Sequence, residues 1–128
     1  MLAQEWIDTR AGYLKTDAVD HHADHFYPGD ADIAWDLSAA AIEFRLDASA
    51  RRFLMERYRA ISGDRVSESV LQFYEVAWLA FRAGYTAMAC SCLAPGVERD
   101  RFNRQRGEYE RLLREAVLVR PERWLVSA

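Results

Sequence analysis

The segment VLQFYEVAWLAFRAGYTAMACSC, from Val70 to Cys92, decides the fold. Its only charged residues are Glu75 and Arg82, so apolar side chains surround most of a helical circumference. A helix of that kind is either the centre of a bundle or a membrane span. Glu75 and Arg82 cut the run into pieces too short to cross a bilayer, so the pattern predicts the core helix of a bundle. Ser67 or Asp64 opens it and Pro95-Gly96 closes it.

The flanking sequence supplies helices to pack around it. Asp36 is placed to cap a helix from about Leu37 to Arg45, in which Ala39, Ala40 and Ala41 favour helix and allow close approach. Asp47 caps the next helix, where Phe53, Leu54, Tyr58 and Ile61 recur at three- and four-residue spacing before Ser62-Gly63 ends it. Almost no loop separates these two helices, which forces a sharp corner. Beyond Pro95-Gly96, a helix from about Glu98 to Val119 carries Phe102, Tyr109, Leu112, Leu113 and Ala116 on one side and mixed Arg and Glu on the other. Its Glu110 and Arg114 stand in favourable i,i+4 order. Pro121 breaks this helix, and Trp124, Leu125 and Val126 form an apolar tail suited to docking.

At the other end, Trp6-Ile7-Asp8 and Tyr13-Leu14-Lys15 read as short strands around the turn Arg10-Ala11-Gly12. A hairpin this small must pack on the helices that follow. The fold expected is therefore mainly α, a helical bundle with a short N-terminal β-hairpin. Residues 1–128 read as a single domain with the hairpin over 1–18, an Asp- and His-rich loop over 19–35 and the bundle over 36–128.

Composition narrows the function classes. With 128 residues, 51% hydrophobic, a net charge of -3 and a pI near 5.6, the chain has no general attraction for nucleic acid. Sixteen of its seventeen basic residues are Arg, a bias that genome composition alone can produce. Cys90 and Cys92, spaced C-x-C at a helix end, diverge too far for a disulfide and read as small buried hydrophobes of a reduced protein. Glu5, Asp8, Arg10 and Lys15 interrupt any signal-peptide pattern, so the expectation is cytoplasmic, with no membrane segment.

Chemistry-bearing residues concentrate between Lys15 and Phe44, where six Asp and three His crowd a turn-rich segment. Asp17 follows a strand end, a common place for a metal ligand. His21, His22 and His25 with Asp20 and Asp24 offer imidazole and carboxylate donors, although HHxxH on an irregular loop defines no geometry. No Gly-rich phosphate loop and no Ser or Cys triad signature occurs. On the long helix, Glu68, Gln72, Glu75, Arg82 and Thr86 share one stripe, interrupted by Leu79. Either this stripe is buried against polar partners on other helices, or Glu75, Trp78 and Arg82 border a substrate cleft in which carboxylate and aromatic faces meet a cation.

The order Asp17, Pro28-Gly29-Asp30, Asp32, Asp36-Leu37-Ser38 resembles the aminoglycoside phosphotransferase and choline kinase-like family. There, a metal-binding Asp precedes a Gly-Asp-Pro-like turn and an Asp-Leu-Ala helix start. The later run from Phe53 to Tyr58, and then Phe73-Tyr74-Glu75-Val76-Ala77-Trp78-Leu79-Ala80-Phe81-Arg82, is similar to the helices that follow in the C-terminal lobe of its kinase-like fold.

The resemblance implies Asp17 as the ligand of the Mg²⁺ that bridges nucleotide phosphates. Asp20 is its substitute, since Asp17 and Asp32 stand further apart than is usual in the family. It further implies Asp32 and Asp36 as structural anchors, and ATP as the phosphate donor of the complete enzyme. The family's His-x-Asp and Asn loop should lie just before Asp17, where Gln4-Glu5-Trp6-Ile7-Asp8 does not match, so no catalytic residue is assigned. The chain then reads as the C-terminal lobe, or a truncated form, of an ATP-dependent small-molecule phosphotransferase. Alone it would be inactive and bind neither Mg²⁺ nor ATP, and its partner would be the missing N-terminal lobe. The alternative is a stand-alone, non-catalytic helical interaction protein derived from that lobe, whose exposed surface binds a partner protein or a second copy.

Overall fold

The computed structural model describes residues 6–15 and 32–118, which form a two-stranded hairpin and four helices. The strands are β1 (Trp6–Thr9) and β2 (Gly12–Lys15); the helices are α1 (Ile33–Glu43), α2 (Ala48–Ser62), α3 (Glu68–Cys92) and α4 (Val97–Leu118). The mainly helical class with a short N-terminal hairpin is thus observed. The chain divides into two compact units, Met1–Leu71 and Gln72–Ala128.

In the first unit the strands pair antiparallel, with Trp6 opposite Lys15 and Thr9 opposite Gly12. Arg10 and Ala11 form the connection without positive φ, and Gly12 takes φ +116° instead, a value L side chains rarely adopt. The Thr9 hydroxyl donates to the Gly12 carbonyl and accepts from the Ala11 amide, which tightens the turn. Trp6 meets Phe44, at the end of α1, edge to face at 6.5 Å between ring centroids. A hairpin too small to stand alone thereby gains an apolar support.

Asp32, not Asp36, caps α1. Its Oδ1 accepts from the Ala34 amide at 2.8 Å, and the helix starts at Ile33, one turn earlier than the spacing suggested. Both Asp residues are chemically fit to cap; Asp36 instead lies in the first turn, where a carboxylate favours the positive end of the helix dipole. Residues 33–35, expected as the end of a loop, are therefore helical. Ala34, Leu37, Ser38, Ala39, Ala40 and Ala41 are all buried. Small side chains permit this close approach, and the one polar group among them is satisfied: the Ser38 hydroxyl donates to the Leu71 carbonyl at 3.1 Å.

The corner after α1 is closed by backbone geometry. The Leu46 amide donates to the Ala41 carbonyl and the Arg45 amide to the Ile42 carbonyl, each at 3.0 Å. This pairing is the Schellman closure, which requires a left-handed residue at the position of Arg45. Arg45 adopts φ +51°, the sole positive value at a non-glycine position among the described residues.

Asp47 then caps α2, its Oδ1 accepting from the Ser49 and Ala50 amides and from the Ser49 hydroxyl. Of the α2 side chains expected to face inward, Leu54 and Tyr58 are half-buried, whereas Phe53 and Ile61 are exposed. Positions 54, 58 and 61 share one stripe, from which Phe53 is displaced; Ile61 is exposed in the last turn of the helix despite lying on that stripe. Gly63 ends α2 in the left-handed conformation, φ +75°, with its amide on the Arg59 carbonyl.

In the second unit α3 buries Gln72, Trp78, Leu79, Arg82, Thr86 and Cys90, while Phe73, Tyr85 and Met88 are exposed. One stripe is thus inside, rather than the whole circumference, and it is the stripe that carries polar residues. Cys90 is buried and Cys92 exposed, both with free thiols, so only the first behaves as a small core hydrophobe. On α4 the ion pairs Glu98 with Arg101, Arg106 with Glu110 and Arg111 with Glu115 line the solvent side. Glu110 therefore reaches back one turn to Arg106. No described helix is long and apolar enough to cross a membrane.

Arg45→Gly should stabilise the protein by about 0.5–1 kcal/mol in urea unfolding, because glycine takes a left-handed φ without steric cost; a loss of stability would contradict the corner as described. The Asp47 carboxyl is held below its ordinary value chiefly by the Ala50 amide, then by the Ser49 hydroxyl and amide. Its folded value being lowered, the cap's contribution is present above the unfolded value of about 4 and disappears as pH falls through the folded one. Asp47→Asn should accordingly flatten the loss of stability below about pH 4, read from melts across pH 2–6.

Candidate functional site

The most organised side-chain cluster of the second unit is built on Arg82. Trp78 and Tyr85 stand one turn before and one turn after it on α3, and α4 contributes Tyr109. The Arg82 guanidinium carbon lies 5.3 Å from the Tyr85 ring centre, 5.3 Å from that of Tyr109 and 6.0 Å from that of Trp78. Its Nε donates to the Tyr109 hydroxyl at 3.4 Å. Arg82, Trp78 and Tyr109 are each at most 8% exposed, so the cation sits in a nearly dry aromatic enclosure.

Helical spacing explains half of this arrangement. Residues at i−4 and i+3 lie on the same face as Arg82, so the α3 rings reach its guanidinium without long-range folding. Trp78, Phe81 and Tyr85 continue as a ladder of tilted rings, with centroids 5.8 and 6.3 Å apart. Thr86, fully buried, turns its hydroxyl onto the Arg82 and Ala83 carbonyls at 2.8 and 3.0 Å and so satisfies its own donor. Tyr109 is the only residue of α4 that is buried, which makes it the helix's anchor in the unit.

Of the three residues read as a substrate cleft, Trp78 and Arg82 are brought together and buried, and Glu75 is half-buried one turn before Trp78. Gln72 and Glu75 are each engaged in further interactions. A cationic ligand seeking these aromatic faces would compete with the guanidinium that already occupies them. The enclosure accordingly acts as architecture: it fixes α4 against α3 through a charge that water would otherwise hold.

The residues read as metal ligands, Asp17 and Asp20, lie outside the described residues, as do His21, His22 and His25. Among the described residues, no three His, Cys, Asp or Glu gather in a way that could hold a metal ion. Of the two anchors, Asp32 caps α1 and Asp36 occupies its first turn.

Two features escaped the sequence reading. Tyr109 was visible only as one apolar position of an amphipathic stripe, with nothing to pair it with a residue 27 positions earlier. The second is an open groove beside the end of α2, lined by Arg52, Arg59 and Arg65. The recurrence of Arg seven residues apart on α2 was its one local signal. No family model, curated protein or solved structure matches the chain.

Proposed function

We propose that this chain is the helical C-terminal lobe of an ATP-dependent small-molecule phosphotransferase of the aminoglycoside phosphotransferase and choline kinase-like kind, and that it transfers no phosphate alone. The reading is supported by the order of elements around the acidic segment. β2 ends at Lys15, two residues before Asp17, and the next described element is the Asp32-capped α1. In the proposed enzyme Asp17, with Asp20 as its substitute, would hold Mg²⁺, whose charge offsets that of the nucleotide phosphates. The nucleotide lobe and the catalytic loop would be the partners of this lobe, in the cytoplasm.

A second reading, a non-catalytic interaction protein, is favoured by a different observation. No residue of α2 is buried, and Phe53 and Ile61 are 65% and 77% exposed. Apolar side chains this exposed on one helix suit a partner protein or a second copy.

Titration with ATP and Mg²⁺ while following the melting temperature tests the first proposal. The lobe alone should show no shift, whereas a clear upward shift abolished by Asp17→Ala would overturn its incompetence. Translating the DNA upstream of Met1 tests the lineage. An in-frame Gly-rich loop, nucleotide Lys and His-x-Asp motif is the result expected, and an unrelated stop-bounded region favours the interaction reading instead.

A further inference from the structure

We infer that the groove at the C-terminal end of α2 is a binding site for a small organic phosphate monoester carrying an apolar or aromatic body. Arg52 and Arg59, two helical turns apart, lie along one face of α2. Arg65 joins them because Gly63 reverses the chain and Asp64 pins the return: its Oδ1 accepts from the Arg65 amide at 2.7 Å and its Oδ2 from the Tyr58 hydroxyl at 3.4 Å. The three guanidiniums are thereby gathered on one groove of about 230 Å³.

Their state differs from that of three arginines of α4. There Arg101, Arg106 and Arg111 each meet a glutamate on their own helix. Among the described residues, none of the groove's three guanidiniums has an ion-pair partner. Glu56 and Asp64 are the opposing charges in the lining, and Asp64 already accepts from the Arg65 amide and the Tyr58 hydroxyl, so the three guanidiniums outnumber the carboxylates by one. Three forked donors around one groove offer the several oxygens of a phosphate monoester more bidentate partners than a single carboxylate could use.

The lining sorts by depth. Arg52, Arg59 and Arg65 are exposed, whereas Met55, Tyr58 and Val66 are half-buried. A cationic rim over an apolar floor selects an anion with an apolar body over a bare ion. The volume is below the roughly 300–1,000 Å³ usual for drug-sized ligands, which fits a single ring with its phosphate. The site lies entirely within the first unit and uses none of the residues assigned to nucleotide or metal, so its fate is separate from that of the phosphotransferase proposal.

Calorimetric titration of the whole chain with phenyl phosphate and with inorganic phosphate tests the inference. Phenyl phosphate should bind saturably, at least about threefold more tightly than inorganic phosphate, through the apolar floor. Arg59→Gln should weaken it by about threefold or more, with circular dichroism confirming that α2 is retained. Glu56→Gln, on the same rim, should tighten it by about two- to fivefold, a change that a purely structural role would not produce. Absence of saturable binding, equal affinity for the two anions, or unchanged affinity in both variants would overturn the site.

Discussion

The guanidinium of Arg82, enclosed by Trp78, Tyr85 and Tyr109, is the constraint on which the second unit depends. Removing a charge from water costs several kcal/mol, and a guanidinium cannot shed its proton to escape that cost. The three ring faces offset it, each by about 0.5–2 kcal/mol when desolvated, and the Tyr109 hydroxyl adds a directed acceptor. Since one ring comes from α4, the charge is satisfied only when that helix is in place. The cost of the buried cation thus becomes specificity for one pairing of α3 with α4. The same demand explains why α3 turns its polar stripe inward and leaves Phe73 and Met88 in solvent.

The first unit is organised by the opposite means, with small side chains and backbone closure in place of a buried charge. Alanines and Ser38 let α1 lie close to its neighbours, and the Ser38 hydroxyl finds the Leu71 carbonyl at the start of α3. The corner from α1 to α2 needs only the four positions from Phe44 to Asp47, with a strained Arg45 on one side and a triply bonded Asp47 on the other. The functional surfaces follow from this economy. A helix held at its ends leaves most of its circumference free, and on α2 that circumference carries both the exposed Phe53 and Ile61 and the arginine groove.

Much of the local chemistry was legible in the sequence. Gly12 marked the hairpin, Asp47 and Gly63 the ends of α2, and Ser67 and Pro95-Gly96 the limits of α3, because each supplies a φ or a side-chain oxygen that its neighbours lack. Spacing points to Asp36 as the cap of α1, one turn too late; Asp32 is chemically as able to cap, and its side chain, not that of Asp36, accepts from the Ala34 amide at the helix start. Long-range pairing was not legible. Periodicity set Arg82 on a stripe and Tyr109 on another, but their meeting depends on how two helices pack. The polar stripe of α3 had two readings for the same reason, since burial is a property of the neighbour and not of the helix. Of the metal site, Asp17 and Asp20 rest on resemblance alone.

The measurement that bears most directly on the Arg82 enclosure is a double-mutant cycle with Arg82→Met and Tyr109→Leu, read by urea unfolding. A charge satisfied by that ring predicts a coupling of about 1–2 kcal/mol between the two positions. Additivity within about 0.3–0.5 kcal/mol would show that the cation and the ring contribute independently, and would contradict the enclosure as the interaction that joins α3 to α4.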